Sequence, residues 1–464
     1  MGYGGILNRE SVEKGAVVAN YPVADGYSIN KGNVVDVVNG EVVKPAKVAD
    51  NITNVFYSSN IQLESVIHLR DNVNIIAATR GHTTGACWVV DDNGKTVGNN
   101  YYDFSSKNPI EIKLNKVDEE CFILCYNENS THYYKFGKYD SNGFSYINTY
   151  TNRALDTIVN VGGNKIFGFI GDQGSIIYWV GTYSKTSGLS QLKANTKTSL
   201  NNAVYASPIV ATKLPDDAQG NKRACICFQI AGTRGLGAVT VTMKSDNTAV
   251  TDTMQTIESK QVLDGFSAAT FKNNTVAVGK NNLNSSSGSV IAFEVNANNK
   301  IANITNTLNI ATGVNTNPSI VALEDKIVVC IAGKANIVDL NKNTLALGKK
   351  ADYSGSAELD VATSTSKNKF LVCYSFYSLA YDRGEATSLE VSGNEIAGSF
   401  EYSSTQAIAL NSGTSGQNID IVYSGPVEYE APIGTKIESN GVKGYVPVEN
   451  VLDVIPWYAT GGGQ

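Results

Sequence analysis

The chain has 464 residues, 42% of them hydrophobic and 17% charged, with a formal net charge of −6. Phosphate contacts need clustered Lys and Arg, and no basic run is present, which argues against nucleic acid or an anionic membrane as the main partner. No stretch approaches ~18 consecutive apolar residues, so no membrane-spanning helix is expected.

Residues 1–15 are polar and lack the apolar segment of a signal peptide, so none is expected. Residues 15–47 then read as a compact β segment. VVDVV, the turn Asn39-Gly40 and EVVK form a hairpin signal, because Asn-Gly accepts the left-handed backbone of a type I′ turn. Residues 50–60 are polar and read as a linker.

From residue 61 to about 401 the chain repeats a unit of two apolar runs and a tight turn. CFILCYN and HYYKFGKY precede Ser141-Asn142-Gly143, and FLVCYS and TSLEV precede Ser392-Gly393-Asn394. Seven such units end in turns near residues 93, 142, 187, 247, 298, 342 and 393. A spacing of roughly 50 residues is that of a four-stranded propeller blade. One such sheet cannot bury both apolar faces alone, whereas a ring of them can. The expected architecture is an all-β, seven-bladed β-propeller over 55–405; a long β-sandwich is the alternative. No WD, kelch or Asp-box signature marks the units.

Two loops stand out within the repeats, at 214–222 and 281–288. Both are turn-rich and exposed by composition. Loops on a rigid ring commonly carry binding, so Pro215, Asp216, Asp217, Asn221, Asn282 and Asn284 are candidate ligand-binding residues.

Residues 406–464 change pattern. AIALNSGTSGQNIDIVYSG reads as strand, loop and strand; TKIESNGVKGYVPV reads as another hairpin, and YATGGGQ as a mobile tail. The runs KGNVVDVVNGEVVK near the start, AIALNSGTSGQNIDIVYSG near the end and IESNGVKGY after it resemble the paired hairpins of small β-domains in tailed-bacteriophage virion proteins, of tail-fibre and head-fibre or decoration type. In that family the hairpins run close together, whereas here the repeats lie between them. The resemblance implies a discontinuous attachment domain, 1–54 with 406–464, into which the propeller is inserted.

Little in the chain points to catalysis. Three histidines are present, His68, His82 and His132, and only His82 sits in a polar loop. Gly232–Gly237 follows an apolar strand but precedes another strand, so it reads as a hairpin rather than a phosphate cradle. Asp140-Ser141-Asn142-Gly143 lacks the distant Glu of a calcium loop and reads as a turn. The seven cysteines lie in apolar strands and read as buried free thiols, with no metal site and no cofactor expected. The 24 tyrosines, among them Tyr101, Tyr102, Tyr133, Tyr134, Tyr374, Tyr377 and Tyr381, offer faces for sugars or partner surfaces, or simply follow β propensity.

These readings converge on a non-enzymatic virion protein made in the host cytoplasm. Its expected partners are other virion proteins, further copies of itself and a host-surface glycan, with neither nucleic-acid binding nor membrane insertion. The alternatives are a head-decoration protein without receptor role, and a carbohydrate-active enzyme recognisable by carboxylates converging in the central channel.

Overall fold

The computed structural model describes residues 17–454, excepting 25–26, 31–33, 39, 44–46, 50–55, 60, 82, 99–100, 152–155, 173–174, 191–192, 199–208, 273, 283–286, 313–316, 355–358, 377–382, 394, 398–399, 403–406, 429–435, 440–441 and 446–450. The expected C-terminal tail, His82, Asn284, Tyr377 and Tyr381 lie outside the described residues. The chain divides into two compact units, 52–398 and the combined ends 1–51 and 399–464.

The larger unit is a seven-bladed β-propeller. Each blade is an antiparallel sheet taken in chain order from the centre outward. The innermost strands are Ile61–Arg70, Ile110–Lys116, Thr157–Gly162, Val210–Leu214, Val262–Phe271, Ser319–Ala322 and Leu359–Ser364. Neighbouring innermost strands pack on one another, and the seventh packs on the first, so the ring is closed.

Burial explains why these residues form blades. The second and third strands of each blade are sandwiched between adjacent blades and are apolar on both faces. Cys121–Glu128 and Leu236–Met243 are buried almost throughout. Seven separate apolar cores fill the seven interfaces. Phe122 and Leu124, for example, pack on Ile75 and Val89 between the first and second blades. All seven cysteines are buried in these strands and free. Burial pushes the Cys87, Cys121 and Cys125 thiols up to about 12, which leaves them unreactive as nucleophiles near neutral pH.

The turn that closes each blade's third strand contains a left-handed residue in all seven blades. It is Gly94, Gly143, Gly188 and Gly393 in four of them, Asn247 and Asn299 in two, and Lys342 in one. Only glycine takes that backbone without a Cβ clash, and asparagine is the next best tolerated. The periodic turn signal in the sequence has this physical cause.

Inside the ring, polar side chains join every pair of neighbouring blades at their innermost strands. The N–H of Leu114 donates to Ser65 Oγ at 2.9 Å, that of Ile158 to Asn115 Oδ1 at 2.9 Å, and that of Ile209 to Asp156 Oδ2 at 3.2 Å. The Thr212 and Thr270 hydroxyls share a bond at 2.9 Å. The N–H of Ile320 donates to Ser267 Oγ at 3.1 Å, that of Ala362 to Ser319 Oγ at 3.0 Å, and that of His68 to Thr363 Oγ1 at 3.2 Å, which closes the circle. Each latch satisfies a main-chain or hydroxyl group that the blade's own ladder leaves over. Ser65→Ala and Ser319→Ala are each expected to lower stability by about 1 kcal/mol. They lie in different interfaces and share no partner, so the double variant should lose the sum. Urea denaturation of the full chain measures both. No loss in either variant would mean that the latches are decorative.

Among the described residues, four blades have a fourth strand in two pieces, such as Ile301–Ala302 and Leu308–Thr312 in the fifth. In the seventh blade the first piece is Glu395–Ala397, and the second is Phe56–Ser59 from the start of the unit, paired with Arg383–Ala386. The polar stretch expected to be a linker therefore contributes a strand. It is an edge strand of four residues, too short and too polar to carry a periodic signal of its own.

In the unit built from the ends, the sheet runs Val17–Pro22, Asn418–Glu428, Ala407–Ala409, Val34–Val38, Glu41–Val43. Val35, Val42, Ala407, Ala409, Ile419 and Ile421 form its core with Val23 and Ile29. Val34 pairs with Ile408 across the sheet. Gly40 takes φ +84° in the hairpin turn.

Candidate functional site

A four-stranded antiparallel blade has two unlike ends. The turns joining strands one to two and three to four lie on one face of the ring, here called the hairpin face. The turns joining strands two to three, and the connections between blades, lie on the other, the crossover face. All innermost strands run the same way, because an even number of strands returns the chain to the end where it entered.

The two candidate loops fall on opposite faces. Pro215, Asp216, Asp217 and Asn221 lie together on the hairpin face, between Val210–Leu214 and Lys222–Gln229. Asn282 ends Thr275–Asn282 on the crossover face. The first group is a self-contained turn. Asp217 Oδ1 accepts from the N–H groups of Gln219 and Asn221, and its Oδ2 accepts from the Asn221 amide. These bonds hold the Asp217 carboxyl below the usual range, against a burial effect that pushes it up. Asp216 pairs with Lys222 at 2.5 Å. The buried Arg223 donates to Pro215 O at 2.7 Å and to Asn296 O at 2.8 Å, joining the fourth blade to the fifth. The rest of the hairpin face follows suit, with ion pairs such as Lys138–Asp140 and Lys326–Asp339. His68 belongs here too, bonded to Asn74 at 2.9 Å and 3.5 Å from Asp92.

At the described ends of the 281–288 stretch, three residues are buried where composition suggests an exposed loop; residues 283–286 lie outside the described residues. Asn281, Ser287 and Gly288 are buried, since they belong to the paired strands Thr275–Asn282 and Ser287–Val295. Beside them lies a fully buried lysine. Lys280 Nζ meets Glu258 Oε2 at 2.5 Å, Asn282 Oδ1 at 2.7 Å and Ser289 Oγ at 3.1 Å. The other Glu258 oxygen accepts from Thr307 at 2.8 Å. Burial pulls the Lys280 ammonium below its ordinary pKa, while Glu258 works against that.

Between the first two blades the crossover face carries a more open constellation. The guanidinium of Arg80 lies 3.8 Å over the Tyr101 ring and 3.3 Å from Asp103. Tyr101 is 40% exposed, and Ile110, where the innermost strand of the second blade begins, is 51% exposed. Glu111 follows Ile110 with φ +56°, where the pairing slips between Ile110 and Lys113. Glu64 occupies a matching slip in Ile61–Arg70, between Leu63 and Ser65. Bulges re-aim side chains and recur near functional sites, and a non-glycine residue in the left-handed region costs ~1–3 kcal/mol. Burial raises the Glu64 carboxyl to about 7, with the Glu111 carboxylate adding to the rise. Lys113, on the third-blade side, is lowered by burial, while Asp156 and other acidic groups oppose that. The first two blades thus offer an exposed aromatic face held by Arg80 and, separately, a proton-holding carboxyl beside a second acid. These elements suit a hydroxyl-rich ligand.

A second acidic cluster lies deeper in the seventh blade. The Tyr353 hydroxyl donates to Asp360 at 2.7 Å and the Tyr374 hydroxyl to Glu385 at 3.0 Å. All four residues are buried, and burial raises Asp360.

The tyrosines are mostly spent on packing between and within blades. Tyr134 and Tyr374 are buried, Tyr102 stacks on Phe144 at 4.2 Å, and Tyr133 stacks on Tyr126 at 5.2 Å. Of the described tyrosines singled out in the sequence, Tyr101 is the one with an exposed ring. The 232–237 stretch forms the expected hairpin, with Ile230 N–H donating to Gly235 O at 2.8 Å. The sequence reading missed Glu64, Glu111 and Lys280, whose partners come from other strands or blades. Among the described residues, no cluster of three metal-ligating side chains occurs.

No protein-family model matches the sequence, and no curated protein matches it. Among solved structures the chain is similar to a functionally unknown protein from Desulfotomaculum acetoxidans, at 11% identity and a TM-score of 0.45 over 72% of this chain and 99% of that one. It is also similar to the WD40 domain of Toxoplasma gondii coronin, at 6% identity and 0.44 over 77% and 91%. A third is a mutant of the Aleuria aurantia lectin in complex with Fucalpha1-6GlcNAc, at 8% and 0.39 over 74% and 95%. At these identities the likeness is one of fold alone.

Proposed function

We propose that the protein is a structural component of a tailed-phage or phage-tail-like particle. The terminal unit attaches it to other virion proteins, and the propeller, as an insertion into that small β-domain, is presented to a host surface or glycan. The observation that carries this reading is a ribbon in the terminal unit. Lys47–Ala49 pairs antiparallel with Phe400–Tyr402, Ala49 opposite Phe400. The points where the chain leaves this unit and re-enters it are thereby neighbours, which is the condition for one domain to sit in a loop of another. The hairpin motifs that resemble phage β-domains fall in the same unit. The exposed Tyr101 ring with Arg80 and Asp103 is the binding element favoured on the propeller. Several copies on one particle would raise the effective concentration, so each site can be weak.

Replacing residues 52–398 by a short Gly/Ser linker tests this. The remnant is expected to fold, with dispersed NMR signals, and to enter particles that no longer adsorb to host envelopes. Particles lacking the propeller that adsorb normally would replace the receptor reading by a decoration role. A remnant that is soluble but disordered would remove the insertion itself.

A second reading, a carbohydrate-active enzyme, is favoured by Glu64. A carboxyl that keeps its proton near neutrality beside a second acid is the pairing that glycoside hydrolysis uses. Release of reducing sugar from host envelopes by the wild type, lost in Glu64→Gln and in Glu111→Gln, would decide for it. Binding without turnover would decide against it.

A further inference from the structure

The interface between the fifth and sixth blades is not closed along its outer half. A groove of about 670 Å³ opens there. One wall is Leu308–Thr312, the outer strand of the fifth blade, and the other is Thr344–Asp352, the outer strand of the sixth. Asn306 bounds the gap, its amide donating to Leu345 O at 3.2 Å while its Oδ1 accepts from Leu345 N–H at 2.7 Å.

The lining is two-sided in character. Ile310 and Leu347 continue the apolar core outward, and Leu347 is 49% exposed. Lys334, Lys349 and Lys350 gather at the same groove. A bulge brings them there. Asn336 pairs with Lys350 and Val338 with Leu347, so Gly348 and Lys349 together oppose Ile337. A Cβ at Gly348 would lie 3.0 Å from Ile337 Cγ2, so the bulge favours glycine at that point. Lys350 shares a face with the partly buried Lys334 and the buried Asn336 through the cross-strand register. Two acids lie near. Asp352 is 3.9 Å from Lys334, and Asp339, beside Gly348, is held by Lys326 at 2.5 Å. Lys350 and Lys334 share one face at this groove, a local excess of positive charge in a chain with net charge −6.

We propose that this groove binds a carboxylate-bearing saccharide, with the carboxylate at Lys350 and Lys334 and the C–H face of the sugar on Leu347 and Ile310. The inference deepens the surface-binding reading above and rests on it. Three observations select this class. The volume lies in the ~300–1,000 Å³ range of small-ligand sites, too small for a protein face. The lysines are compact point charges suited to single carboxylates. The described lining has no aromatic ring, so a nucleobase would find no stacking partner, whereas a saturated ring meets aliphatic walls.

The test uses the full chain and three probes in calorimetry or ligand-observed NMR: an oligogalacturonate, a neutral dextran oligosaccharide of equal length, and a short poly-glutamate of equal charge. The oligogalacturonate is expected to bind at low salt, several-fold more weakly at about 150 mM salt, where screening is strong, with the neutral probe at least tenfold weaker. Lys350→Glu should weaken binding at least tenfold, and Leu347→Ser at least threefold, with thermal melts unchanged in these exposed positions. Equal binding of poly-glutamate would overturn the saccharide assignment in favour of an acidic peptide. Binding untouched by both substitutions, or no binding by the wild type, would overturn the site. If the full chain binds no oligogalacturonate while propeller-deleted particles fail to adsorb, the groove fails and the receptor reading stands. If propeller-deleted particles adsorb normally, the receptor reading fails whatever the groove binds.

Discussion

Lys280→Met is expected to lower the stability of the propeller by about 3–5 kcal/mol, the range for removing one partner of a buried ion pair. The reason lies in how completely the group is used. Lys280 is fully buried, and its three N–H donors have three acceptors, in Glu258, Asn282 and Ser289. Removing the ammonium leaves the Glu258 carboxylate in a poorly solvated site, where Thr307 still donates to it. Glu258→Gln should cost a similar amount, because the lysine, already pulled down by burial, loses the charge that holds its proton. The double variant Lys280→Met, Glu258→Leu should recover most of the loss, since a buried pair replaced by apolar groups of similar volume is often neutral. Urea denaturation of the four proteins forms a double-mutant cycle. Single variants as stable as the wild type would show that water reaches the pair and that the site is not closed.

That network also shows where the sequence stops being informative. Gly279-Lys280 closes the apolar run TVAVGK, while Asn281-Asn282 reads as the start of a solvated loop. Lys280 can be buried because Glu258 from the fourth blade and Ser289 from the next strand come to its ammonium, and neither is a local neighbour. The repeat itself was legible because the second and third strands of each blade touch apolar neighbours on both faces. Runs such as Cys121–Glu128 and Ile327–Ile331 then need no polar alternation, and nearly every pair ends in a turn that uses Gly or Asn. The innermost strands were less legible. Ser319–Ala322 has four residues, and one of them is spent on a latch to the next blade. Nothing local marks Phe56–Ser59 as a strand, because its partner, Arg383–Ala386, lies at the far end of the propeller's sequence. Glu64 and Glu111 fall in different repeats, and only the packing of adjacent blades makes them a pair.

Glu64→Gln is expected to stabilise the protein at alkaline pH and leave it unchanged in acid. The folded-state pKa of Glu64 is raised from 4.5 to about 7, first by burial and then by the Glu111 carboxylate. A raised carboxyl binds its proton more tightly when folded, so its contribution is fully present below pH ~4.5 and is lost as pH climbs through about 7. A shift of that size corresponds to roughly 3 kcal/mol, and partial solvent access brings the expected effect nearer ~2 kcal/mol. Glutamine fills the same space and carries no charge at any pH. The stability difference between variant and wild type should therefore be near zero at about pH 4 and grow through roughly pH 5–7 to a plateau by about pH 8. Glu111→Gln should give a smaller change in the same direction, because the neighbouring charge is the lesser cause. Urea denaturation of both variants across that range reads the curve. A flat difference would mean that Glu64 is solvated and ionised in the folded protein. The proton-holding carboxyl would then be gone from the crossover face, and with it the ground for reading the Glu64–Glu111 pair as a general acid and its partner.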